Sequence, residues 1–363
     1  MFSCFRGKTV LVTGHTGFKG AWLCVWLIRL GAKVVGLSDR DFGPDSLFRS
    51  LGLESCLEDR RGDVADLTSV KRVVAETLPD FVFHLAAQAV VSKSFEDPAH
   101  TWLTNVIGTV NLLSGLRELN KPCVAILITS DKCYQNNEWV WGYRESDRLG
   151  GTDPYSGSKA AAELAIKSFH SSFFSDTDCT VRIGVGRAGN VIGGGDWTEN
   201  RIVPDAIRAW RANKILSVRN VHSTRPWQLV LEPLSGYLTL AEALYGNKVM
   251  SGEAFNFGPM ASAEKSVGEL VESMAANWGG AAEYRIKADQ ACNFHEAGLL
   301  RLNCDKALSV LGWSAILTFE ETVEFTTDWY ANFARGRMSA EKTDIQIDQY
   351  VSYAANRGAK WAH

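Results

Sequence analysis

The sequence lacks the features of a zinc protein, a disulfide-rich secreted protein or a membrane protein. Its eight cysteines are scattered, and no two of them form a Cys-x-x-Cys pair, so neither a metal site nor a disulfide framework is indicated. The longest apolar stretch, residues 21–30, is too short to cross a bilayer. The first residues lead into the apolar segment 8–12 without a signal-peptide pattern. We therefore expect no metal, no membrane association and a reducing, cytoplasmic location.

An excess of charge of either sign is also missing. The net charge of the 363-residue chain is −3, which leaves no basic field for a nucleic acid. Hydrophobic residues make up 46% of the chain and charged residues 22%, as in ordinary soluble globular proteins. The length allows two domains, or one large domain with an added lobe. We expect no nucleic-acid partner.

A strand, a glycine-rich loop and a helix are predicted in the first thirty residues. Residues 9–12 form a short apolar run typical of a strand, and residues 21–30 are typical of a buried helix. Between them the glycines repeat as Gly-x-x-Gly-x-x-Gly, which allows a tight turn and a close approach to pyrophosphate at the helix N-terminus. A Walker A loop is excluded, because Lys19 follows Phe18 and no Ser or Thr comes after it. The loop predicts dinucleotide binding by Gly14, Thr16, Gly17, Phe18, Lys19 and Gly20.

The adenosine half of the dinucleotide is assigned by spacing. A second strand is predicted at 33–37, and Asp39 follows Gly20 by 19 residues, near where an acid binds the ribose. Ser38 is an equally suitable strand end, and Arg40 could accept a 2′-phosphate. NAD is nevertheless favoured over NADP. Asp63 could bind the adenine amino group or could equally cap a helix.

Residues 81–88 predict a fourth strand that runs into small side chains, past which a cofactor can lie close. We interpret His84, which interrupts this apolar strand, as a packed core histidine. In this segment we expect Leu85, Ala86 and Ala87 to contact the cofactor, and we assign Gln88 to the substrate. Val64, next to Asp63, is a further expected cofactor contact.

Two polar clusters carry the candidate chemistry. Residues 124–128 predict a buried strand, and Ser130 emerges where that strand ends, in the crevice of an open α/β sheet. Asp153 and a following proline predict the start of a helix, on which the spacing of four places Tyr155 and Lys159 on one face. A nearby ammonium favours the phenolate, so we predict that the pKa of Tyr155 lies below its usual value of about 10. Tyr155 is the candidate base and Ser130 its hydrogen-bonding partner.

The alternation of strands and helices predicts an α/β fold with a doubly wound parallel sheet of the Rossmann type and a smaller C-terminal substrate-binding lobe. We assign residues 1–189 and about 227–249 to the dinucleotide-binding domain. Residues 190–226 and 250–345 are assigned to the substrate lobe, and residues 346–363 to a C-terminal tail.

Basic residues accumulate after a sixth predicted strand at 181–187 and a loop at 189–196. They are Arg201, Arg208, Arg211, Lys214, Arg219 and Arg225. Bidentate arginine contacts suit a pyrophosphate, although Arg208 and Arg211 could equally be solvated on a helix. Asn190 could bind a sugar hydroxyl or a phosphate.

Taken together, the TGxxGxxG loop, the His-Leu-Ala-Ala strand end and the Ser…Tyr-x-x-x-Lys arrangement resemble the extended short-chain dehydrogenase/reductase family. Five further segments are similar to the sugar-nucleotide 4,6-dehydratases of that family: 17–20, 129–134, 138–145, 189–197 and 225–228. The similar motifs cover residues 9 to about 313. Relatives acting on dTDP-glucose carry Asp-Glu where this chain has Asp131 and Lys132, and epimerases usually lack this acid–base pair.

The resemblance implies that water is removed from CDP-linked glucose to give the 4-keto-6-deoxy sugar, a precursor for deoxysugars of surface polysaccharides. Tyr155 would take the C4 hydroxyl proton while the hydride passes to NAD, with Ser130 sharing the hydrogen bond and Lys159 holding the ribose. Lys132 would then remove the C5 proton and Asp131 would protonate the leaving C6 hydroxyl, before the hydride returns to C6. This requires a lowered pKa for Lys132 and a raised pKa for Asp131.

The resemblance also implies substrate contacts and an oligomer. Arg219 and Arg225 lie in family-like motifs, and His295 or Glu296 would close the pocket or merely cap a loop. The aromatic residues at 139, 141 and 143 would stack on the sugar or only pack a loop. Family members commonly form a homodimer or homotetramer through helices near 99–119 and 155–172.

Two other interpretations stay open. The chain could be another NAD-dependent sugar-nucleotide dehydratase, acting on a dTDP- or GDP-linked sugar, or a 4-epimerase. A non-catalytic NAD-binding regulator is the alternative from a different class, and such proteins typically lack the tyrosine or the lysine, both of which are present here.

Overall fold

A computed structural model of the protein describes all residues except 41–42, 44, 177, 219, 247–249, 261–263, 280–281, 287–298 and 337–338. The described strands are β1 (Thr9–Thr13), β2 (Lys33–Ser38), β3 (Glu58–Arg61), β4 (Phe81–His84), β5 (Cys123–Ile128), β6 (Val181–Ala188), β7 (Val191–Ile192), β8 (Leu216–Val218), β9 (Thr224–Pro226), β10 (Gln228–Leu229), β11 (Glu253–Phe257), β12 (Glu264–Ser266) and β13 (Tyr284–Ile286).

The α-helices of the described residues are α1 (Phe18–Arg29), α2 (Leu47–Ser50), α3 (Leu67–Thr77), α4 (Val91–Glu96), α5 (Pro98–Trp102), α6 (Gly108–Arg117), α7 (Pro154–Phe169), α8 (Ile202–Arg211), α9 (Leu231–Gly246), α10 (Val267–Trp278), α11 (Phe319–Ala334) and α12 (Ser339–Asn356). A π-helical turn, Leu103–Ile107, joins α5 to α6. None of the helices in the described part of the chain is both long and apolar enough to span a membrane.

Seven parallel strands form the central sheet, in the order β11-β6-β5-β4-β1-β2-β3. Chain order reverses between β1 and β4, which are neighbours in register, with Val10 opposite Phe81. Side chains at the carboxyl ends of strands on both sides of such a switch point face a common crevice. The predicted doubly wound sheet is therefore confirmed, and so are its strands at 9–12, 33–37, 124–128 and 181–187.

Three two-stranded pairs lie outside the central sheet: β7 with β10, β8 with β13, and β9 with β12. The predicted loop at 189–196 contains one of these strands, β7, so its description as an uninterrupted loop was wrong. The seventh strand of the central sheet, β11, lies beyond residue 250, where the second part of the predicted substrate lobe began. The division into domains stays a proposal.

Both faces of the central sheet are covered, as expected for parallel strands. Alternating side chains of β1 show this directly: Val10 and Val12 join the larger core with α1 and α9, while Leu11 joins the second core with α3 and α6. Apolar residues therefore run continuously along the strand instead of alternating with polar ones. This packing fixes the strand ends that bear the polar residues.

The C-terminal residues pack against the beginning of the chain. Trp361 stacks on Phe2, with ring centroids 5.5 Å apart, and contacts Trp26 of α1 edge-on at 6.1 Å. Tyr350 of α12 also meets Trp26 edge-on, at 6.0 Å. The segment predicted as a tail thus forms a helix and an aromatic cluster on α1.

A buried carboxyl group ties α9 to the C-terminal helices. Glu232 is 1% exposed and accepts hydrogen bonds from the backbone N–H of Leu317 at 2.7 Å, the N–H of Ile316 at 2.9 Å and the Tyr350 hydroxyl at 2.8 Å. Burial outweighs these bonds and raises the pKa of Glu232 from 4.5 to about 7. Protonated Glu232 is therefore the form that the folded protein favours at neutral pH and below.

The pH dependence of stability tests this placement of Glu232. A folded-state pKa above the unfolded value contributes stability that is complete below about pH 4.5 and is lost as pH rises through about 7. We expect the free energy of unfolding of the wild type to fall relative to that of Glu232→Gln between pH 5 and pH 8, by at most about 3 kcal/mol. Urea unfolding across this range measures the difference. The exposed Glu320→Gln variant should show no such trend, and a pH-independent difference for Glu232→Gln would contradict the assignment.

Candidate active site

One large cleft opens at the carboxyl ends of β1, β4, β5 and β6, with a volume of about 1540 Å³. It brings together every predicted site residue that the structure describes. These are Gly14, Thr16, Gly17, Phe18, Lys19, Gly20, Asp39, Asp63, Val64, Leu85, Ala86, Ala87, Gln88, Ser130, Asp131, Lys132, Tyr155, Lys159, Asn190, Arg201 and Arg225. Arg219, His295 and Glu296 lie outside the described residues.

The glycine loop forms a cradle that side chains would fill. A Cβ atom at Gly14 would lie 2.7 Å from the backbone nitrogen of Ala86, and one at Gly20 would lie 2.2 Å from the Gly14 carbonyl oxygen. Gly17 is the N-cap of α1, and no side chain caps that helix. The free N–H groups and the helix dipole therefore face the cleft, which suits the pyrophosphate of a dinucleotide.

The far end of the cleft contains the residues predicted to hold adenosine. Thr16 Oγ1 lies 2.8 Å from Ser38 Oγ at the end of β2. The Asp39 carboxylate, predicted to bind the ribose, is 3.7 Å from the guanidinium of Arg40, the residue that could accept a 2′-phosphate. Asp63 accepts a hydrogen bond from the Ala65 N–H at 2.8 Å and is not the helix cap, because Asp66 caps α3.

His84 is a core residue, as predicted. Its ring nitrogens lie 2.7 Å from Thr13 Oγ1 and 3.2 Å from Thr109 Oγ1. Burial lowers the pKa of His84 to about 3, so its imidazole is neutral. This histidine joins β1, β4 and α6 beneath the cleft.

The segment after β5 places an acid and an amine in contact. The Asp131 side chain is 2% exposed; its Oδ1 accepts hydrogen bonds from Ser130 Oγ at 2.7 Å and from Lys132 Nζ at 3.2 Å. Lys132 Nζ also donates to Asn190 Oδ1 at 3.2 Å. Ser130 caps the short 3₁₀ turn that follows. Asn190, predicted from the sequence to bind a sugar hydroxyl or a phosphate, is therefore bonded to the candidate base.

Tyr155 and Lys159 occupy the start of α7, which Asp153 caps through the N–H of Ser156 as predicted. The predicted lowering of the pKa of Tyr155 is wrong. Burial raises that pKa to about 12, against the opposing effect of the Ser130 hydroxyl. Burial also lowers the pKa of Lys159 to about 8. The spacing gave the correct neighbours, but the removal of both groups from water dominates their ionisation.

Lys19 reaches the same end of the cleft from the glycine loop. Its Nζ lies 5.9 Å from the centroid of the buried Tyr237 ring. Burial and the neighbouring Arg201 lower the pKa of Lys19 to about 7, and Asp131 opposes the shift. Lys19 therefore belongs to the electrostatic environment of the acid–base pair, in addition to its predicted place in the dinucleotide loop.

Several of the side chains predicted to contact the substrate already make hydrogen bonds within the protein. Arg201 donates to Asp196 at 3.0 Å, and Arg225 donates to the Thr224 carbonyl at 2.8 Å. Gln88 is buried, and its amide bonds to Thr101 at 3.0 Å and to the backbone of Val90. Gln88 thus shapes the wall of the cleft with its polar atoms already satisfied.

The aromatic loop after the acid–base pair packs on itself. Trp139 lies 5.2 Å from Tyr143, and Tyr143 stacks on Tyr134 at 5.1 Å. Trp141 is exposed. None of the three residues at 139, 141 and 143 is among the described residues that line the cleft, which favours loop packing over sugar stacking.

Sequence reasoning missed several residues that line or support the cleft. Arg148 lines it without any motif that pointed there. Asn105, in the π-helical turn, donates to Ser158 Oγ at 2.8 Å and to the Gln88 carbonyl at 3.1 Å. A polar residue within an apolar helical pattern was the available signal for Asn105. The described residues contain no group of three or more His, Cys, Asp or Glu side chains placed to hold a metal ion.

The sheet, the glycine cradle and the Ser130, Tyr155 and Lys159 side chains define an extended short-chain dehydrogenase/reductase. More specifically, the chain belongs to the family described as GDP-mannose 4,6 dehydratase, which it matches over residues 11–326.

Individual relatives agree with this family. The chain is 42% identical to CDP-glucose 4,6-dehydratase of Salmonella typhimurium, over 96% of this chain and 97% of that protein. It is 27% identical to UDP-glucose 4-epimerase of Mycolicibacterium smegmatis, over 89% and 98% of the two chains. Among solved structures, dTDP-glucose 4,6-dehydratase of Bacillus anthracis in complex with NAD has a TM-score of 0.74 at 20% identity, over 91% of this chain and 99% of that one. The last likeness concerns the fold.

Proposed function

We propose that the protein is an NAD-dependent CDP-glucose 4,6-dehydratase that converts CDP-D-glucose to CDP-4-keto-6-deoxy-D-glucose and water. The observation that carries this proposal is the contact of Asp131 with Lys132, 3.2 Å apart, in the same cleft as Ser130, Tyr155 and Lys159. An oxidation site alone would serve a dehydrogenase or an epimerase. The added acid–base pair supplies what an elimination needs.

Tyr155 accepts the proton of the C4 hydroxyl when the sugar is oxidised. A phenol with a pKa of about 12 holds its proton at neutral pH, so a nearby positive charge is needed to favour the phenolate. Lys159, one helical turn further along α7, supplies such a charge. Ser130 donates to Asp131 in the structure and can rotate to bond the substrate oxygen.

Lys132 and Asp131 perform the elimination. Lys132 removes the proton at C5, which is acidic beside the new C4 ketone, and Asp131 donates a proton to the departing C6 hydroxyl. Their 3.2 Å contact keeps the two groups together through the cycle. When the hydride returns to C6, Lys132 gives its proton back to C5, and Asp131 is restored by the proton that Tyr155 took from the C4 hydroxyl. Asn190 fixes the direction of the Lys132 amino group.

The cleft fits NAD as the resident cofactor. The chemistry that bound NAD would supply is hydride uptake from C4 and hydride return to C6. The residues that would hold it are the glycine cradle around Gly14 and Gly17, Asp39 on the ribose and Lys159 at the opposite end. Asp39 at the end of β2 favours the ribose hydroxyls of NAD over a 2′-phosphate.

The substrate and the cellular setting complete the proposal. Arg201 and Arg225 line the cleft and suit the pyrophosphate of a nucleotide sugar. The 42% identity with the Salmonella typhimurium protein supports cytidine as the base and a role in deoxysugar precursor synthesis. The seven described cysteines are all free thiols, which supports a cytoplasmic location.

We also propose a homodimer, or a homotetramer built from such dimers. Six apolar side chains between 41% and 58% exposed lie on α4 to α6 and on α7 with its π-helical extension: Phe95, Trp102, Leu103, Ile107, Leu164 and Phe173. A solvent-facing apolar face of this kind marks an interaction surface. A second copy is the expected occupant, because α5, α6 and α7 pack side by side and can form a bundle with their symmetry mates.

Mass spectrometry of the purified protein incubated separately with CDP-, dTDP-, UDP- and GDP-glucose tests the reaction. We expect loss of one water from CDP-glucose only, with and without added NAD if the cofactor copurifies. Loss of water from another nucleotide sugar would keep the mechanism and refute the substrate. An isomer with unchanged mass would indicate an epimerase, and inertness toward all four sugars would refute catalysis.

The Lys132→Ala variant separates oxidation from elimination. We expect it to oxidise C4, seen as reduced cofactor absorbing at 340 nm, and to lose water elimination by about 10²-fold or more, since the C5 base is gone. Asn190→Ala is the matched comparison, because it leaves Lys132 in place without one of its partners and should reduce elimination less. Equal loss of both half-reactions in Lys132→Ala would contradict the assigned role.

The Leu164→Glu variant tests the dimer. A carboxylate on the shared apolar face has to be buried on association, so we expect a monomer by light scattering coupled to size-exclusion chromatography. Ile345→Glu, at a similarly exposed position on α12, is the control and should keep the wild-type mass. A monomeric wild type, or a Leu164→Glu variant of unchanged mass, would refute this interface.

A further inference from the structure

A third polar residue continues the face of α7 that carries Tyr155 and Lys159. Glu163 follows Lys159 by four residues, so both lie on one side of the helix, and both are almost completely buried, at 5% and 6% exposed. The proposed mechanism assigns Glu163 no role. Burying a carboxylate costs free energy unless the carboxylate is paired and hydrogen-bonded, and Glu163 has such partners.

Glu163 is fully occupied by hydrogen bonds from two other elements. Arg187 of β6 donates to it through Nε at 2.7 Å and through Nη2 at 2.6 Å, and Thr129 donates to it at 2.5 Å. Arg187 in turn donates to the Tyr134 hydroxyl at 2.7 Å and to the Glu145 carbonyl at 3.1 Å. This buried network therefore joins α7 and β6 to the residues on either side of the Asp131–Lys132 pair.

Lys159 has no such partner. Among the described residues, its amino group makes no hydrogen bond and no ion pair. Burial lowers its pKa to about 8, and the opposing influences are Cys133 and Glu163. Because burial raises the pKa of Cys133 well above 9.0, that thiol carries no charge at neutral pH. Glu163 is then the carboxylate on its own helix that keeps Lys159 protonated.

We propose that Glu163 is a positioning residue for catalysis: clamped by Arg187 and Thr129, it holds Lys159 in its charged form from one helical turn away. Charged Lys159 is the state in which it favours the Tyr155 phenolate and binds ribose hydroxyls. The proposal deepens the proposed dehydratase function and rests on it for the role of Lys159, although the charge of Lys159 is measurable without turnover.

The other ionisable groups around Lys159 come from three elements besides α7. They are Lys19 of α1, His84 of β4, Asp131 and Cys133 after β5, and Tyr155 on α7 itself. His84 and Cys133 are neutral at pH 7 because burial shifts both pKa values away from it. Tyr155 is neutral for the same reason. Lys19 and Asp131 act on each other. On the side of Glu163, the cation Arg187 is bound to that carboxylate and partly offsets its effect on Lys159.

A purely structural role and an electrostatic role of Glu163 predict changes of different sign in the pKa of Lys159. Glu163→Gln removes the negative charge and leaves Arg187 positive, so the pKa of Lys159 should fall by about one unit or more. Arg187→Met removes the positive charge and leaves Glu163, so the pKa of Lys159 should rise or stay unchanged. A loosened helix, by contrast, would move Lys159 toward water in both variants and shift its pKa in the same direction.

The experiment measures the pKa of Lys159 in protein carrying 13Cε-labelled lysine, with the Cε resonance assigned by its absence in Lys159→Arg. No substrate is added, so inactivity toward CDP-glucose would refute the proposed function and leave this measurement intact. The wild type should titrate near 8. Glu232→Gln, which alters an equally buried carboxylate remote from the cleft, is the control for lost stability and should leave the Lys159 pKa unchanged.

A buried arginine without its partner strongly destabilises a protein, so Glu163→Gln can fail to fold. The double variant Glu163→Gln, Arg187→Met removes both charges; it should fold and lower the pKa of Lys159 by less than Glu163→Gln. An unchanged or raised pKa in the folded single or double variant overturns the proposal. So does a fall in Arg187→Met equal to that in Glu163→Gln, or an equal shift in Glu232→Gln.

Discussion

This site is shaped by the free-energy cost of keeping several cations close together in a cleft that is partly shielded from water. Burial lowers the pKa of Lys19 to about 7 and that of Lys159 to about 8. Arg201, Lys159 and Lys132 are all close enough to Lys19 to lower its pKa as well. Like charges close together disfavour their charged forms. The arrangement is tolerable because the natural ligands, a dinucleotide and a nucleotide sugar, each bring a doubly charged pyrophosphate. Charge neutralisation thus accompanies binding.

The sheet makes this crowding possible. Strands β1, β4, β5 and β6 are held in register by cores on both faces, so the loops that follow them cannot spread apart to separate their charges. The network from Glu163 through Arg187 to Tyr134 anchors α7 to the same strands from within. Rigid support of this kind keeps Tyr155, Lys159 and Asp131 in one geometry while their protonation states change.

Much of this arrangement followed from local sequence. The glycine loop, the caps of α7 and the apolar strand runs are patterns of neighbouring residues, and they located the cleft correctly. Strand β11 has charged Glu253 at its start and no glycine-rich loop after it. No local sequence pattern therefore marked it as a strand of the central sheet. The pKa of Tyr155 was predicted in the wrong direction because spacing gives a neighbour but not the loss of water. The Glu163–Arg187 pair joins residues 24 apart through tertiary structure, although the four-residue repeat from Tyr155 hinted at Glu163.

The amine at position 132 has a consequence for the proton transfers of the elimination. Where relatives carry a carboxylate, the base is ionised and ready at neutral pH, because carboxyl groups ordinarily titrate near 4. An ammonium has to lose its proton before it can act, and its neighbours decide how easily. Here Lys132 Nζ lies 3.2 Å from Oδ1 of the buried Asp131 and also donates to Asn190. In the proposed mechanism the C5 proton becomes acidic only once the C4 ketone has formed, so elimination follows oxidation whichever base stands at this position. What the proposed lysine base changes is the order of proton transfers: the amine must give up a proton before it can take one from C5, and the Asp131 carboxyl group 3.2 Å away is placed to accept it.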